Sequence, residues 1–377
     1  MPGHANWIGG DWHLAPGRDE GLLAWDGLLA PGTGVPAPVS SGRQALRDAL
    51  EAVTAPRGTV LVPGLVCPAV RQAVRAAGLT PEVYALDATL MPRWEHLRER
   101  VRETGARSAL LVHPAGWLVD GEAARDIVRT TGVALVEDAS HTLANTPDAR
   151  TLGPTCTRAA AASLRKVLPL PSGGVWLRWD QQVPPRAVEP PDRFLLERLD
   201  TLGLPPGASR HRRLGQIEDL LDRGPGTGGA AQPLLDRLAE LGRAPAERAQ
   251  SWRRRCRSNW HTLHSALAGG ACRPVFPLLP PGVCPLGLVV RHSDRTALAR
   301  HLLRQGVEST LHWALAVGTA RRLTREERLL GATLLTLPCD GRYDAQDMER
   351  IAGACHAFDR GRGGTADVPG PAPRPST

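Results

Sequence analysis

The 377-residue sequence predicts an α/β fold, with a large, mostly parallel sheet followed by a smaller α+β unit. Short apolar segments alternate with amphipathic ones from about residue 59 to residue 138, as expected for parallel strands joined by covering helices. After a Pro- and Gly-rich stretch at 180–243, a shorter series of helices and strands follows. A chain of this length exceeds one small core, so we expect two domains.

The first series of segments places several polar residues just after predicted strands. The strands are predicted at 59–62, 82–86, 108–113, 132–137, 159–162 and 174–179. Helices are predicted to begin after Ser40 or Ser41 and to cover 68–77, 94–103 and 121–130. Ligands of such sheets bind beyond the carboxyl ends of the strands. We therefore expect a site formed by segments 63–67, 113–117, 138–141 and 163–166.

The chain is predicted to have four parts. Residues 1–38 form an arm, and 39–243 form the large domain, which includes a variable helical connector at about 180–243. Residues 244–360 form the small C-terminal domain, and the Gly/Pro-rich segment 361–377 is a disordered tail. The helices and strands expected in the small domain cover 245–268, 285–291, 294–305, 333–337 and 345–356.

Composition excludes several classes of protein. The formal charge of +8 comes from arginines scattered along the chain, which favours solvated faces over a nucleic-acid-binding surface. The seven cysteines are far apart and include no C-x-x-C pair, so we expect reduced thiols and no metal site. No apolar stretch approaches the roughly 20 residues of a membrane span, and no signal-peptide pattern opens the chain. We expect a cytoplasmic protein.

Lys166 is the only lysine among the 46 basic Lys and Arg residues. Arginine keeps its proton in proteins and cannot form an imine, whereas a lysine amine can. A site that retains lysine while every other basic position has arginine is a candidate for amine chemistry. The alternative is a surface lysine that survived by chance in an arginine-biased chain.

Asp138 closes a predicted buried strand, where a carboxylate faces a site or caps the next turn. Pyridoxal phosphate (PLP) needs an acidic partner for its ring nitrogen, an imine-forming lysine, a phosphate seat and a donor near its phenolic oxygen. Lys166 and His141 offer two of these groups. The Ser-Gly start of the first helix, with Ser163, offers the phosphate seat, because helix N-termini present free N–H groups.

These motifs resemble those of the DegT/DnrJ/EryC1/StrS family of sugar aminotransferases, and the order is kept over roughly residues 40–357. The matching segments are Ser-Gly-Arg-Gln-Ala-Leu (41–46), Val-Leu-Val-Pro-Gly-Leu-Val-Cys-Pro (60–68), Leu-Val-His-Pro-Ala-Gly (111–116), Val-Glu-Asp-Ala-Ser-His (136–141), Ser-Leu-Arg-Lys-Val-Leu-Pro-Leu-Pro-Ser-Gly-Gly (163–174), Arg-Ser-Asn-Trp (257–260), Gly-Val-Glu-Ser-Thr-Leu-His-Trp (306–313) and Leu-Pro-Cys-Asp (337–340). The resemblance implies a fold-type-I PLP transferase and a homodimer.

The resemblance also implies roles for residues at matching positions. Lys166 would form the imine with PLP and shuttle the proton, and Asp138 would pair with the pyridine nitrogen. His141 would lie beside the phenolic oxygen. The main-chain N–H groups of Gly42 and Arg43 would bind the phosphate.

The Ser163 hydroxyl would complete this phosphate-binding site.

The sequence departs from the family after Pro63, where many members have an aromatic residue that stacks on the cofactor ring. Here stacking would have to come from Leu65 or Cys67, or from an aromatic residue elsewhere such as Trp117. The resemblance thus implies a divergent branch of the family.

The function expected from this resemblance is ping-pong transamination. An amino acid, expected to be glutamate, would donate its amino group by way of Lys166. The acceptor would be a keto sugar nucleotide or a related cyclic ketone. Two alternatives remain open: another PLP-dependent reaction of the lyase type, and a PLP-binding relative without catalytic activity.

Overall fold

The computed structural model describes residues 7–11, 36–183, 193–221, 232, 235–236, 246–313 and 321–361. Numbered along the chain, its strands are β1 (Ile8–Gly9), β2 (Ala37–Val39), β3 (Thr59–Pro63), β4 (Thr80–Tyr84), β5 (Ser108–Val112), β6 (Ala134–Asp138), β7 (Ala159–Ser163), β8 (Gly174–Arg178), β9 (Arg273–Pro274), β10 (Leu288–Arg291), β11 (Val307–Glu308), β12 (Thr310–Leu311) and β13 (Leu334–Leu337).

The helices follow the predicted pattern over most of the described chain. They are α1 (Gly42–Val53), α2 (Pro68–Ala76), α3 (Trp94–Thr104), α4 (Gly121–Thr131), α5 (Arg193–Leu202), α6 (Ala208–Leu221), α7 (Ala246–Ala266), α8 (Arg295–Arg304), α9 (Arg325–Thr333) and α10 (Ala345–Arg360). Their ends have local causes: the Asp120 carboxylate accepts two N–H groups at the start of α4, and Gly132 ends that helix with φ of +70°. Helix α9 was not predicted from the sequence.

The central sheet has seven strands in the order β2-β8-β7-β6-β5-β3-β4. Strands β4, β3, β5, β6 and β7 are parallel neighbours, while β8 and β2 extend the sheet in antiparallel pairings. This arrangement confirms the predicted mostly parallel sheet. The carboxyl ends of β5, β6 and β7 therefore lie at one edge.

The two faces of this sheet pack against different partners. Val136 and Ala161 face α1, in a buried cluster with Leu46 and Leu50. Residues that point to the other face join a larger core, which includes Leu111 and the C-terminal helices. Burial on both faces explains why the strands have continuous apolar sequences instead of alternating ones.

The C-terminal part contains a second sheet of four strands, β12-β13-β10-β9, all antiparallel. Strands β10 and β13 are buried at its centre, and α10 packs against both α7 and α8. The predicted α+β character of this part agrees with the observed elements. The domain limits at residues 38, 243 and 360 stay predictions, and the expected tail lies outside the described residues from 362 onward.

Two short strands lie in the segment that was predicted to be an irregular arm. Strand β2 pairs with β8 at the edge of the central sheet. Strand β1 pairs in parallel with β11, which joins Ile8 to Val307. Both partners are distant in sequence, as Ile8 pairs with Val307 and Ala37 pairs with Trp176, so local periodicity could not indicate these strands. Within the described part of the chain, no helix combines the length and apolarity needed to cross a bilayer.

Gly174→Ala tests the close contact between β8 and the segment before α1. A Cβ at Gly174 would lie 2.2 Å from the Ser41 carbonyl oxygen, so the backbone would have to move. We expect the free energy of unfolding to fall by at least about 2 kcal/mol, measured by urea denaturation. Gly215→Ala in α6 is the control, because nothing lies within 4 Å of the added atom there. Equal stability of both variants would contradict the packing described.

Candidate active site

The lysine turn, residues Leu164–Lys166, is a single 3₁₀ turn directly after β7. Leu164 is fully buried, and its N–H donates to the Gly173 carbonyl at 3.0 Å. The buried Leu164 side chain and this hydrogen bond hold the turn against the sheet. Lys166 at its end is exposed, in contrast to the buried Leu164, Val167 and Leu168. The only lysine of the chain therefore lies at the carboxyl edge of the parallel strands.

The first turn of α1 lies against the end of β7. A Cβ at Gly42 would lie 2.5 Å from the Ser163 Cβ and 3.0 Å from its Oγ, so only glycine permits this approach. The Ser41 Oγ accepts the Gln44 N–H at 3.2 Å and caps the helix. The N–H groups of Gly42 and Arg43 belong to the first helical turn, where no intrahelical acceptor exists. They adjoin the Ser163 hydroxyl, and together these groups suit a phosphate.

Asp138 is brought to the same edge by strand pairing. It lies opposite Ala161 of β7, and its side chain is on the α1 side of the sheet, like that of Val136. The Asp138 Oδ1 accepts the Ser140 N–H at 3.0 Å, which fixes the carboxylate at the start of the next turn. The Ser140 Oγ in turn accepts the Ser163 N–H at 2.9 Å and links the two strand ends.

His141 is held as a neutral ring with a defined tautomer. Burial, together with the charge of Lys166, lowers the pKa of His141 well below its ordinary value of 6.5. Its Nδ1 accepts the Ala115 N–H at 3.1 Å, so the hydrogen of the neutral ring is on Nε2. His141 thus offers one N–H donor close to Lys166.

His312 is a second histidine near Lys166, and no sequence motif assigned it a role. Burial and the charges of Lys166 and Arg295 lower its pKa to about 3. Its Nδ1 lies 2.7 Å from the Thr336 Oγ1. The segment 306–313 was noted only as a matching string, because its proximity to the lysine turn arises from the tertiary fold.

The residues considered for ring stacking lie in different places. Leu65 is 1% exposed and belongs to the core on the face opposite α1. Cys67 is partly exposed and packs against the cluster on the α1 side, the side of Asp138. Trp117 stacks on Phe276 with ring centroids 4.1 Å apart, so that face of its indole is already covered. Of the three, Cys67 is the one on the side of the candidate site.

A buried pair supports the loop that holds His141. His113 Nδ1 accepts the Val119 N–H at 3.3 Å, so its Nε2 carries the hydrogen and donates to Glu137 at 2.9 Å. Glu137 also accepts the Thr157 hydroxyl at 2.6 Å and the Leu152 N–H at 2.6 Å. These bonds satisfy a carboxylate that is fully buried. His113 and Glu137 therefore support the site without facing it.

One group of potential metal ligands occurs in the described part of the chain, at Cys272, His292 and Asp359. The His292 Nδ1 accepts the Asp294 N–H at 3.0 Å, so the hydrogen is on Nε2, which lies 3.1 Å from Asp359. A nitrogen that carries a hydrogen cannot bind a metal ion. We therefore interpret this cluster as a hydrogen-bonded histidine–carboxylate pair next to a thiol.

Residues 32–328 match the sequence profile of the DegT/DnrJ/EryC1/StrS aminotransferase family. The chain belongs to this family. This confirms the predicted family and the expectation of an aminotransferase, and the mostly parallel sheet agrees with the predicted fold-type-I architecture. No match was found among curated protein sequences.

Solved structures of aminotransferases share the fold. DesV of S. venezuelae, in complex with a ketimine intermediate, is 21% identical with a TM-score of 0.63, over 87% of this chain and 85% of that one. PseC of Helicobacter pylori is 13% identical with a TM-score of 0.64, over 87% of each chain. CalS13 of Micromonospora echinospora is 19% identical with a TM-score of 0.61, over 85% and 87%. At these identities the likeness concerns the fold.

The pKa of His312 predicts how stability depends on pH. The folded state binds no proton at His312 until the pH nears about 3, whereas the unfolded state binds one below about 6.5. Protonation therefore favours unfolding, and stability is lost as the pH falls below 6.5. We expect His312→Gln to lose less free energy of unfolding than the wild type between pH 7 and pH 4.

His211→Gln is the control of opposite sign. A hydrogen bond to Glu308 raises the pKa of His211, so its stabilisation is complete below 6.5 and is lost as the pH rises through the raised pKa. Removing it should make the loss of stability on acidification larger. Urea denaturation of the PLP-free protein measures both slopes. If the free energy of unfolding of both variants depends on pH as in the wild type, the pKa shifts assigned to His312 and His211 are wrong.

Proposed function

We propose that this protein is a PLP-dependent aminotransferase that transfers an amino group from glutamate to a keto sugar nucleotide or a related cyclic ketone. One observation carries the proposal. Lys166, Asp138, His141 and the Gly42–Ser163 contact come from three separate segments, 41–43, 138–141 and 163–166, and meet at one edge of the sheet. Each of these groups matches one chemical requirement of PLP.

The phosphate seat supports the fit of this cofactor. The close approach at Gly42 leaves backbone N–H groups and the Ser163 hydroxyl side by side, at the positive end of the α1 dipole. A dianionic phosphate suits that environment. Arg43 contributes its main-chain N–H.

The remaining residues would each hold or move one proton. Bound PLP supplies an electron-withdrawing ring that acidifies the substrate carbon. The Asp138 carboxylate would keep a proton on the ring nitrogen, and the His141 Nε2–H would donate to the phenolic oxygen. The Lys166 amine would hold the cofactor and, once free, carry the proton to and from the substrate carbon. Cys67 would contact the ring on the α1 side, whereas Leu65 lies on the opposite face of the sheet.

The acceptor class rests on relatives. The structures that share the fold include CalS13, described as a sugar aminotransferase, and PseC, described as involved in the biosynthesis of pseudoaminic acid. A keto sugar is therefore the acceptor class we propose for this chain. We also propose a homodimer, as the family resemblance implies, and a cytoplasmic location, as expected from the sequence composition.

A glutamate half-reaction tests the function. Wild-type protein loaded with PLP should lose its visible absorbance band on addition of glutamate and release 2-oxoglutarate. Lys166→Arg keeps a positive charge but cannot form an imine, so we expect the rate to fall by about 10²–10⁴-fold. Glu51→Gln on the outside of α1 is the control and should react as the wild type does.

Three results would contradict parts of the proposal. A wild-type protein that shows no cofactor band in the presence of PLP would refute PLP binding. A band that glutamate and other amino acids leave unchanged would indicate a non-catalytic relative. Consumption of the amino acid with release of a product other than its 2-oxo acid would favour a lyase. A screen of keto sugar nucleotides against the aminated form then identifies the acceptor.

A further inference from the structure

The described arm segment, residues 7–11, ends beside the lysine turn. It is held there by three bonds: the Gly9 N–H donates to the Tyr343 hydroxyl at 2.7 Å, Arg342 donates to the Gly10 carbonyl at 3.0 Å, and Arg210 donates to the Asp11 carbonyl at 2.9 Å. Together with the β1–β11 pairing, these bonds fix the backbone position of Asp11.

The Asp11 side chain lies between arginines from two different elements. Its Oδ1 is 3.4 Å from the Arg165 Nη1, and Arg165 belongs to the same 3₁₀ turn as Lys166. Its Oδ2 accepts a hydrogen bond from Arg198 of α5, whose side chain is only 2% exposed. The carboxylate therefore connects the lysine turn to a buried cation of the connector helices.

The charges around this carboxylate are mostly positive. Burial alone would raise the pKa of Asp11, but Arg198, Arg165, Lys166 and Arg210 outweigh it and lower the pKa to about 2. Asp11 is therefore ionised throughout the physiological range. Attraction between charges is mutual, so the Asp11 carboxylate favours the protonated form of groups at Lys166.

We propose that Asp11 is a positioning residue for Lys166: it ties Arg165 of the lysine turn to Arg198, and its negative charge offsets the charges of these two arginines. The inference rests on the proposed PLP-dependent function. It assigns a role to the arm, which the sequence had indicated only as an irregular leader. The arm thereby joins three parts of the chain at the site, namely the lysine turn, helices α5 and α6, and strand β11.

Asp11→Asn tests the role, because it keeps the shape of the side chain and removes its charge. The first measurement is the pH midpoint at which the absorbance band of bound PLP changes. Loss of a negative charge disfavours a proton at the Lys166 nitrogen, so we expect the midpoint to fall by about half a pH unit or more. The variant leaves unchanged the other ionisable groups that interact with Asp11 or Lys166, which include Arg165, Arg198, Arg210, Arg342, His141, His211 and His312.

The second measurement separates positioning from substrate binding. A misplaced lysine slows the glutamate half-reaction, and we expect its maximal rate to fall about ten- to a hundred-fold while the half-saturating glutamate concentration stays within about two-fold. Asp11→Glu retains the charge on a longer side chain and should restore the wild-type midpoint. Asp126→Asn is the matched control, since Asp126 also lies between two arginines, Arg98 and Arg129, on the outer helices.

Failure of the Asp11 role can be distinguished from failure of the proposed function. If the wild-type protein shows no cofactor band, the proposed PLP-dependent function is refuted. The role of Asp11 is overturned if the wild-type protein shows the band and Asp11→Asn has the same pH midpoint and the same half-reaction rate as the wild type. A faster half-reaction with tighter glutamate binding in the variant also overturns it, because Asp11 would then block the site.

Arg165→Gln replaces Asp11→Asn if the latter does not fold. It removes the more exposed arginine partner, whose side chain is 25% exposed, and leaves the buried Arg198 paired with Asp11. Removing a positive charge next to Lys166 should raise the same midpoint, opposite in sign to the first variant. A midpoint equal to that of the wild type would overturn the proposal.

Discussion

The contact between the first turn of α1 and the ends of β7 and β8 is the constraint on which the rest of the site depends. Gly42 touches Ser163, and Gly174 touches the Ser41 carbonyl, at distances that no side chain would allow. Because the backbone of each glycine lies directly against its neighbour, the contact sets the position of the helix N-terminus relative to the lysine turn. Strand pairing then places Asp138 beside that turn. The site is thus built from main-chain geometry, with side chains added at its edge.

The ionisable groups that interact with Lys166 are of two kinds. His141 and His312 are kept neutral by burial and by the nearby lysine. A carboxylate from the arm is kept ionised by a cluster of arginines, Arg165, Arg198 and Arg210. The arm residue Asp11 is the anion through which that cluster connects to the lysine turn.

The sequence predicted the sheet and the central residues of the site because their signals are local. Apolar strands alternating with helices indicated the fold, and Lys166 and Asp138 stood out by composition and by position after a strand. Asp11 and His312 had no such signal, since each acts through a tertiary contact with a distant segment. Cys67 and Leu65 lie on opposite sides of the sheet because of how the loop after β3 turns. The residue pattern does not specify that turn.

We propose above that Lys166 forms the imine with PLP, and borohydride reduction of PLP-loaded protein followed by peptide mapping tests this role. Because Lys166 is the only lysine, the chain's N-terminal amine is the one other primary alkyl amine that could be labelled, and the two lie on different peptides. We expect a pyridoxyl group on the peptide that contains Lys166. A label confined to the N-terminal peptide, or on no peptide, would contradict it.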